Sequence, residues 1–174
     1  MISKEDNARL TAIDAGTSVG DLLRRYWYPI AAVSELARHP TKRVKILGQE
    51  LVLYRDRSGN LGLIDRYCSH RRVNMAIGVV EDDGIRCQYH GWKFDVDGKC
   101  VDMPSEPPTS RFREKISITA YPTHEAGGLV WAYMGPPELQ PPFPEFEWAM
   151  LPAAAAVSRS ISSALMRPWA LEWP

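Results

Sequence analysis

The residues able to do chemistry lie in two short stretches, "YCSHRR" at 67–72 and "CQYHGW" at 87–92. The first is a C-x-H pair, Cys68 and His70. The second is a C-x-x-H pair, Cys87 and His90, and 16 residues separate His70 from Cys87. A thiolate and an imidazole one or two residues apart at a loop tip can both face one object. Two such loops brought side by side supply four ligands, so metal binding is the chemistry to consider first.

The choice of metal turns on how the ligands are paired. Tetrahedral zinc accepts two thiolates and two imidazoles, but its usual spacings join like with like, C-x₂₋₄-C and H-x₃₋₅-H. A Rieske [2Fe–2S] centre puts two cysteines on one iron and two histidines on the other, and mixed pairs on two facing loops satisfy that division directly. Each loop then gives one ligand to each iron. A structural zinc module, or core cysteines that happen to neighbour satisfied histidines, are the competing readings. Cys100 reads as a small buried side chain on a strand. His39, in "RHP", reads as a loop residue and His124, in "YPTHEAGG", as an exposed strand-edge residue.

Composition sets the frame for these loops. At 174 residues the chain can build one well-buried core with extensions. Lys plus Arg and Asp plus Glu are 21 each, which leaves no electrostatic footprint for nucleic acid or an anionic membrane. The N-terminus "MISKEDNARL" carries acids and lacks an apolar core, and no run of about 18 apolar residues occurs, so a cytoplasmic protein is expected. Three cysteines, two of them beside histidines, point to metal in a reducing compartment rather than to disulfides.

The elements that must position the loops are mostly strands. Thr17 or Ser18 can cap a short helix near 18–26. From about Trp27 to Gly135 come short runs between turn signals: "VKILG", "ELVLYRD", "LGLID", "IRCQY", "WKFDV", "CVDMP", "SITAYP" and "LVWAYMG". Such spacing predicts an all-β antiparallel sandwich or small barrel. Gly59 in "RDRSGNLG" and Gly98 in "DVDGK" can take positive φ where hairpins reverse. A calcium loop at Asp95, Asp97 and Gly98 is excluded by the missing ligands and closing Glu. Beyond Gly135, "PPELQPPFPEFEWAMLP" is too rich in proline for a strand ladder and predicts an extended surface arm.

With these motifs in place, "YCSHRRVNMAIGVVEDDGIRCQYHGWKFDVDGKCVDMPSEP" resembles the Rieske domain of ring-hydroxylating and demethylating non-haem iron oxygenases of aromatic catabolism. The phthalate dioxygenase branch is nearest in character, and "GTSVGDLLRRYWYP" and "EAGGLVWAYMGPP" fit its flanks. The resemblance implies a Rieske sandwich with a small cluster-binding subdomain, a [2Fe–2S] cofactor and one-electron transfer. Cys68 and Cys87 would hold the buried iron, His70 and His90 the outer one. A stand-alone Rieske ferredoxin is the nearest alternative, although the proline-rich arm exceeds what a ferredoxin needs. The resemblance divides the chain into a helical extension at 1–26, the Rieske domain at 27–135, and an arm with the start of a catalytic domain at 136–174.

Partners follow from the same resemblance. A flavin or ferredoxin-type reductase would donate the electron. The acceptor would be mononuclear iron in a catalytic domain, usually of a neighbouring subunit, and no such two-histidine, one-carboxylate site is expected within these 174 residues. The segment "FPEFEWAMLPAAAAVSRSI" is similar to the opening of that domain, whereas "SSALMRPWALEWP" departs from its continuation. High-potential Rieske proteins have disulfide cysteines where this chain has Val73 and Tyr89, and hydroxyl donors where it has Trp92 and Phe94. Fewer donors imply a low potential, suited to a reductase and unsuited to oxidising quinol. Gly78, Gly84 and Gly91 would let backbone approach the sulfides, and Trp92 would either cover the cluster or pack in the core. Arg71 and Arg72 read either as a docking site for an acidic donor or as a solvated face.

Overall fold

The computed structural model describes residues 2–107 and 109–150, the side chain of Met150 excepted. The Ala-rich and "SSALMRPWALEWP" segments lie outside the described residues. Helices α1 (Lys4–Thr11) and α2 (Ser18–Leu23) precede strand β1 (Trp27–Ala32), and α3 (Val33–Arg38) follows it. The remaining strands are β2 (Thr41–Ile46), β3 (Gln49–Arg55), β4 (Leu61–Asp65), β5 (Val79–Glu81), β6 (Gly84–Arg86), β7 (Lys93–Phe94), β8 (Cys100–Asp102), β9 (Ala120–Tyr121), β10 (Thr123–Ala126) and β11 (Leu129–Tyr133).

They form three antiparallel sheets, ordered β1-β11-β10, β2-β3-β4-β9 and β5-β6-β7-β8. The run "ELVLY" in β3 is apolar on both faces, and this makes its sheet the middle layer. Leu51 and Leu53 enter one hydrophobic cluster with Ile30, Val130 and Ala132. Val52 and Tyr54, on the opposite face, enter a second cluster with Ile85, Cys87 and Phe94. Strand alternation therefore feeds two cores from one strand, and β4 repeats the pattern with Leu63 and Ile64. The first core lies beneath β1 and β11, and the second beneath the small β5–β8 sheet. The expected sandwich with a small cluster-binding subdomain is thus the fold observed.

Several elements differ from the sequence expectation. The helix expected near 18–26 ends at Leu23, capped at its start by the Thr17 hydroxyl, which accepts the Gly20 N–H. Helix α1 was not legible because it buries no residue and so has no apolar stripe; the Ser3 hydroxyl caps it by accepting the Asp6 N–H. Helix α3 is a short turn fastened by the Glu35 carboxylate on the Ala32 N–H. Pro29 lies inside β1, an edge strand, at a register irregularity where its missing N–H is tolerated.

The arm after Gly135 crosses the outer face of the β1-β11-β10 sheet. Trp27 Nε1 donates to the Pro141 carbonyl at 3.1 Å, and Phe143 packs at ring-centroid distances of 5.6 Å from Trp27 and 5.3 Å from Trp131.

Both expected hairpin glycines have positive φ, 94° at Gly59 and 79° at Gly98. Their surroundings differ: a Cβ at Gly59 meets nothing, whereas one at Gly98 would lie 2.1 Å from the Ile118 carbonyl oxygen. Gly59→Ala should therefore cost about 1 kcal/mol, and Gly98→Ala at least about 2 kcal/mol, because backbone must move as well. Urea denaturation of both variants checks the order, and equal losses would contradict it.

Candidate metal centre

The two motif loops share one backbone frame. In the first, Cys68 N–H donates to the carbonyl of Val73 at 2.9 Å and Arg72 N–H donates to the Cys68 carbonyl at 2.9 Å. In the second, Cys87 N–H donates to Trp92 at 2.9 Å and Gly91 N–H to Cys87 at 3.0 Å. Each cysteine thus bonds the carbonyl five residues on and is bonded by the N–H four residues on. The residue at that fourth position is left-handed in both loops, φ 57° at Arg72 and 74° at Gly91. The C-x-H and C-x-x-H spacings differ only in where along this frame the histidine sits.

The cysteine begins the frame, at its base, and the histidine lies toward its tip. Cys68 and Cys87 are accordingly buried, at 1% and 4% exposure, and belong to the hydrophobic core with Met75, Ile85 and Phe94. Both border the same cleft. His70 is exposed and His90 half-buried, with ring centroids 4.5 Å apart. Together the four line a narrow cleft with Arg71, Val73, Tyr89 and Trp92. Trp92 stacks on His70 at 4.3 Å and 8°, and Tyr89 lies against His90 at 3.8 Å.

This arrangement fits a two-iron cluster. Ligands mixed along the chain are sorted in space into a thiol pair at the core and an imidazole pair at the surface. A set divided in this way is what two irons require. Burial pushes the Cys68 thiol up to about 11, while the backbone N–H groups of His70 and Arg71 draw it down. Those donors would favour the thiolate once a metal displaced the proton. Desolvation, then the His90 and Arg71 charges, hold His70 below its usual value.

Comparison with known proteins agrees with this geometry. The family described as Rieske [2Fe-2S] domain matches residues 26–122. The chain is 51% identical, over 85% of its own length, to the 5,5'-dehydrodivanillate O-demethylase oxygenase subunit of Sphingobium sp. (strain NBRC 103272 / SYK-6). It is 42% identical over 86% of its length to the phthalate 4,5-dioxygenase oxygenase subunit of Pseudomonas putida. The chain belongs to the Rieske [2Fe-2S] domain family. It spans 36% and 34% of the lengths of these two relatives. A crystal structure of dicamba monooxygenase with non-heme iron and dicamba superposes with a TM-score of 0.66 at 29% identity, over 76% of this chain and 40% of that one. The Rieske domain brings with it a [2Fe–2S] cluster.

Within this Rieske domain the other sequence candidates fall as follows. Cys100 is buried on β8, and its thiol lies 3.5 Å from the Asp102 carbonyl. His39 caps the end of α3, and His124 is exposed on edge strand β10, 4.2 Å from the Phe143 ring. Trp92 is buried in the core and stacks on His70. Val73 and Tyr89 line the cleft. A Cβ at Gly78 would strike Ile85 and Arg86, one at Gly84 the Phe94 carbonyl, and one at Gly91 the Pro104 ring, so close packing of chain on chain also requires glycine at these positions.

Sequence reasoning missed an ionic group behind the second loop. Arg86 Nε and Nη2 donate to the two oxygens of Glu81 at 2.6 and 3.0 Å, and Lys93 donates to Glu81 at 3.0 Å and also to Asp83. The signal was the pair of cations flanking "CQYHGW" opposite the acidic turn "EDDG". The hydrogen bonds from Arg86, ahead of those from Lys93, hold the Glu81 carboxyl at about 2 against its usual 4.5. A depressed carboxyl stabilises the fold above its unfolded value, and that contribution is lost as pH falls through the folded one. Glu81→Gln should therefore be less stable than wild type at pH 7, and the gap should close between pH 4.5 and about 2. Denaturant midpoints across that range measure it, and a gap independent of pH would refute the assignment.

Proposed function

We propose that this Rieske domain carries single electrons, with Cys68 and Cys87 holding one iron of its [2Fe–2S] cluster and His70 and His90 the other. The observation that carries the reading is the sorting of ligands by type and depth. When bound, the cluster supplies a centre that takes up and gives up one electron. The two cysteines anchor it in the core, where Ile85, Phe94 and Met75 keep water away. The two imidazoles form its solvent side, the face open to a redox partner.

The similarity to oxygenase subunits supports a place as the N-terminal electron-transfer part of an aromatic-ring oxygenase. A flavin or ferredoxin-type reductase is then the donor, and a catalytic domain with mononuclear iron the acceptor. Residues 27–135 form the Rieske domain in this reading, preceded by the helical extension, and the arm from 136 leads toward the catalytic domain. Trp92 and Phe94 bring no hydroxyl to the cluster, and a less stabilised reduced state places the potential in the lower part of the Rieske range of about −150 to +300 mV.

Purified protein should contain about two irons and two sulfides per chain and take up one reducing equivalent for them. Cys68→Ser or Cys87→Ser should abolish the cluster. Equimolar zinc without sulfide, in protein expressed with ample iron, would overturn the reading. A midpoint near the +300 mV end would overturn the low-potential part alone.

A further inference from the structure

The two ligand loops share a backbone frame but are not held alike. The first is closed by backbone hydrogen bonds, and the guanidinium of its Arg72 lies outward over the Tyr67 ring at 4.8 Å. The second is gripped from outside. Arg86, the residue before Cys87, sends Nη1 across the base of the loop to the Gly91 carbonyl at 2.6 Å, the residue after His90. The same Nη1 donates to Asp102 on β8 at 2.7 Å, and Nε and Nη2 form a fork on Glu81 of β5. One planar group thus spans both ends of the loop and ties them to two other strands, a task that suits the fixed fork of arginine.

The far end of the loop has a second anchor on the same acid. Lys93, the residue after Trp92, is only 8% exposed and donates to Glu81. Cations on either side of the loop therefore meet on one carboxylate. Between them stands Trp92, whose indole lies 8° from parallel with His70 of the other loop. The first loop's imidazole, itself exposed, rests against the base of the second.

We propose that Arg86 is a positioning residue for the metal centre, setting His90 through Gly91 and His70 through Trp92. This rests on the reading of Cys68, His70, Cys87 and His90 as ligands. A merely structural staple would stabilise the β5-β6-β7-β8 sheet without altering the iron environment. A positioning role changes how tightly, and in what geometry, the imidazoles meet their iron, as partners behind metal ligands do elsewhere.

The test uses the full chain carrying its cluster, as wild type, Arg86→Lys and Arg86→Gln. Two readouts are taken besides thermal stability: the line positions and widths of the electron paramagnetic resonance spectrum after dithionite reduction, and the rate of iron loss to a chelator. The expected result is a cluster in all three, shifted or broadened lines in both variants, and iron loss faster by about tenfold or more in Arg86→Gln. Arg86→Lys should show a smaller effect in the same direction, since lysine keeps the charge but not the fork. If Arg86→Gln does not fold, Arg86→Lys decides by the same readouts. Unchanged spectra and unchanged iron loss, with only the melting temperature lowered, would overturn the proposal and leave a structural staple. A wild-type chain without a [2Fe–2S] signal, loaded with iron and sulfide, would overturn the ligand reading and this inference with it.

Discussion

Cys68 and Cys87 border one cleft at the base of two loops, and the proposed metal centre depends on that placement. Each cysteine has its N–H and its carbonyl tied within its own loop, so neither can drift toward the tip without breaking two hydrogen bonds next to the core. The histidines follow two or three residues later, where the loop has already turned outward. Position along the loop becomes depth in the protein. Two copies of this frame, set face to face, bring thiol to thiol and imidazole to imidazole.

The base of the loops is also part of the hydrophobic core. Cys68 and Cys87 share a cluster with Val52 and Ile64 from the middle sheet and Ile85 and Phe94 from the small one. Each fully buried aliphatic or aromatic side chain there is worth about 1.5–3 kcal/mol, so the packing that fixes the small sheet also fixes the thiols. Under the proposed ligation folding and cluster binding would be coupled for this reason: deprotonation of a thiol such as Cys68, disfavoured by burial, would be offset by bonding to iron. The middle sheet, apolar on both faces, passes the same constraint to the β1-β11-β10 layer and to the aromatic arm laid over it.

Charge plays a narrower part. The formal charges of the chain cancel, yet Arg86 and Lys93 are drawn partly or wholly out of solvent behind the second loop, where acids from two neighbouring strands satisfy them. Leaving either cation unpaired there would be expensive, which ties the hairpin of β5 and β6 to β7 and β8 more firmly than a three-residue strand could manage by backbone bonds.

The four candidate ligands, the apolar strands β2, β3, β4 and β11, and the hairpin turns at Gly59 and Gly98 were legible in the sequence, because each is written in residue types at short spacing. Cysteine and histidine two or three apart state their chemistry locally, and so does a glycine between two alternating runs. Helices α1 and α3 were not legible, since side-chain caps and short turns hold them without an apolar stripe, and β1, β5 and β10 were too short or too irregular to announce themselves. Only the tertiary structure decided which ligands face each other, that Trp92 lies on His70, and that Arg86 reaches Gly91. Those relations are made by strand pairing and packing between segments distant along the chain, where spacing alone carries no distance.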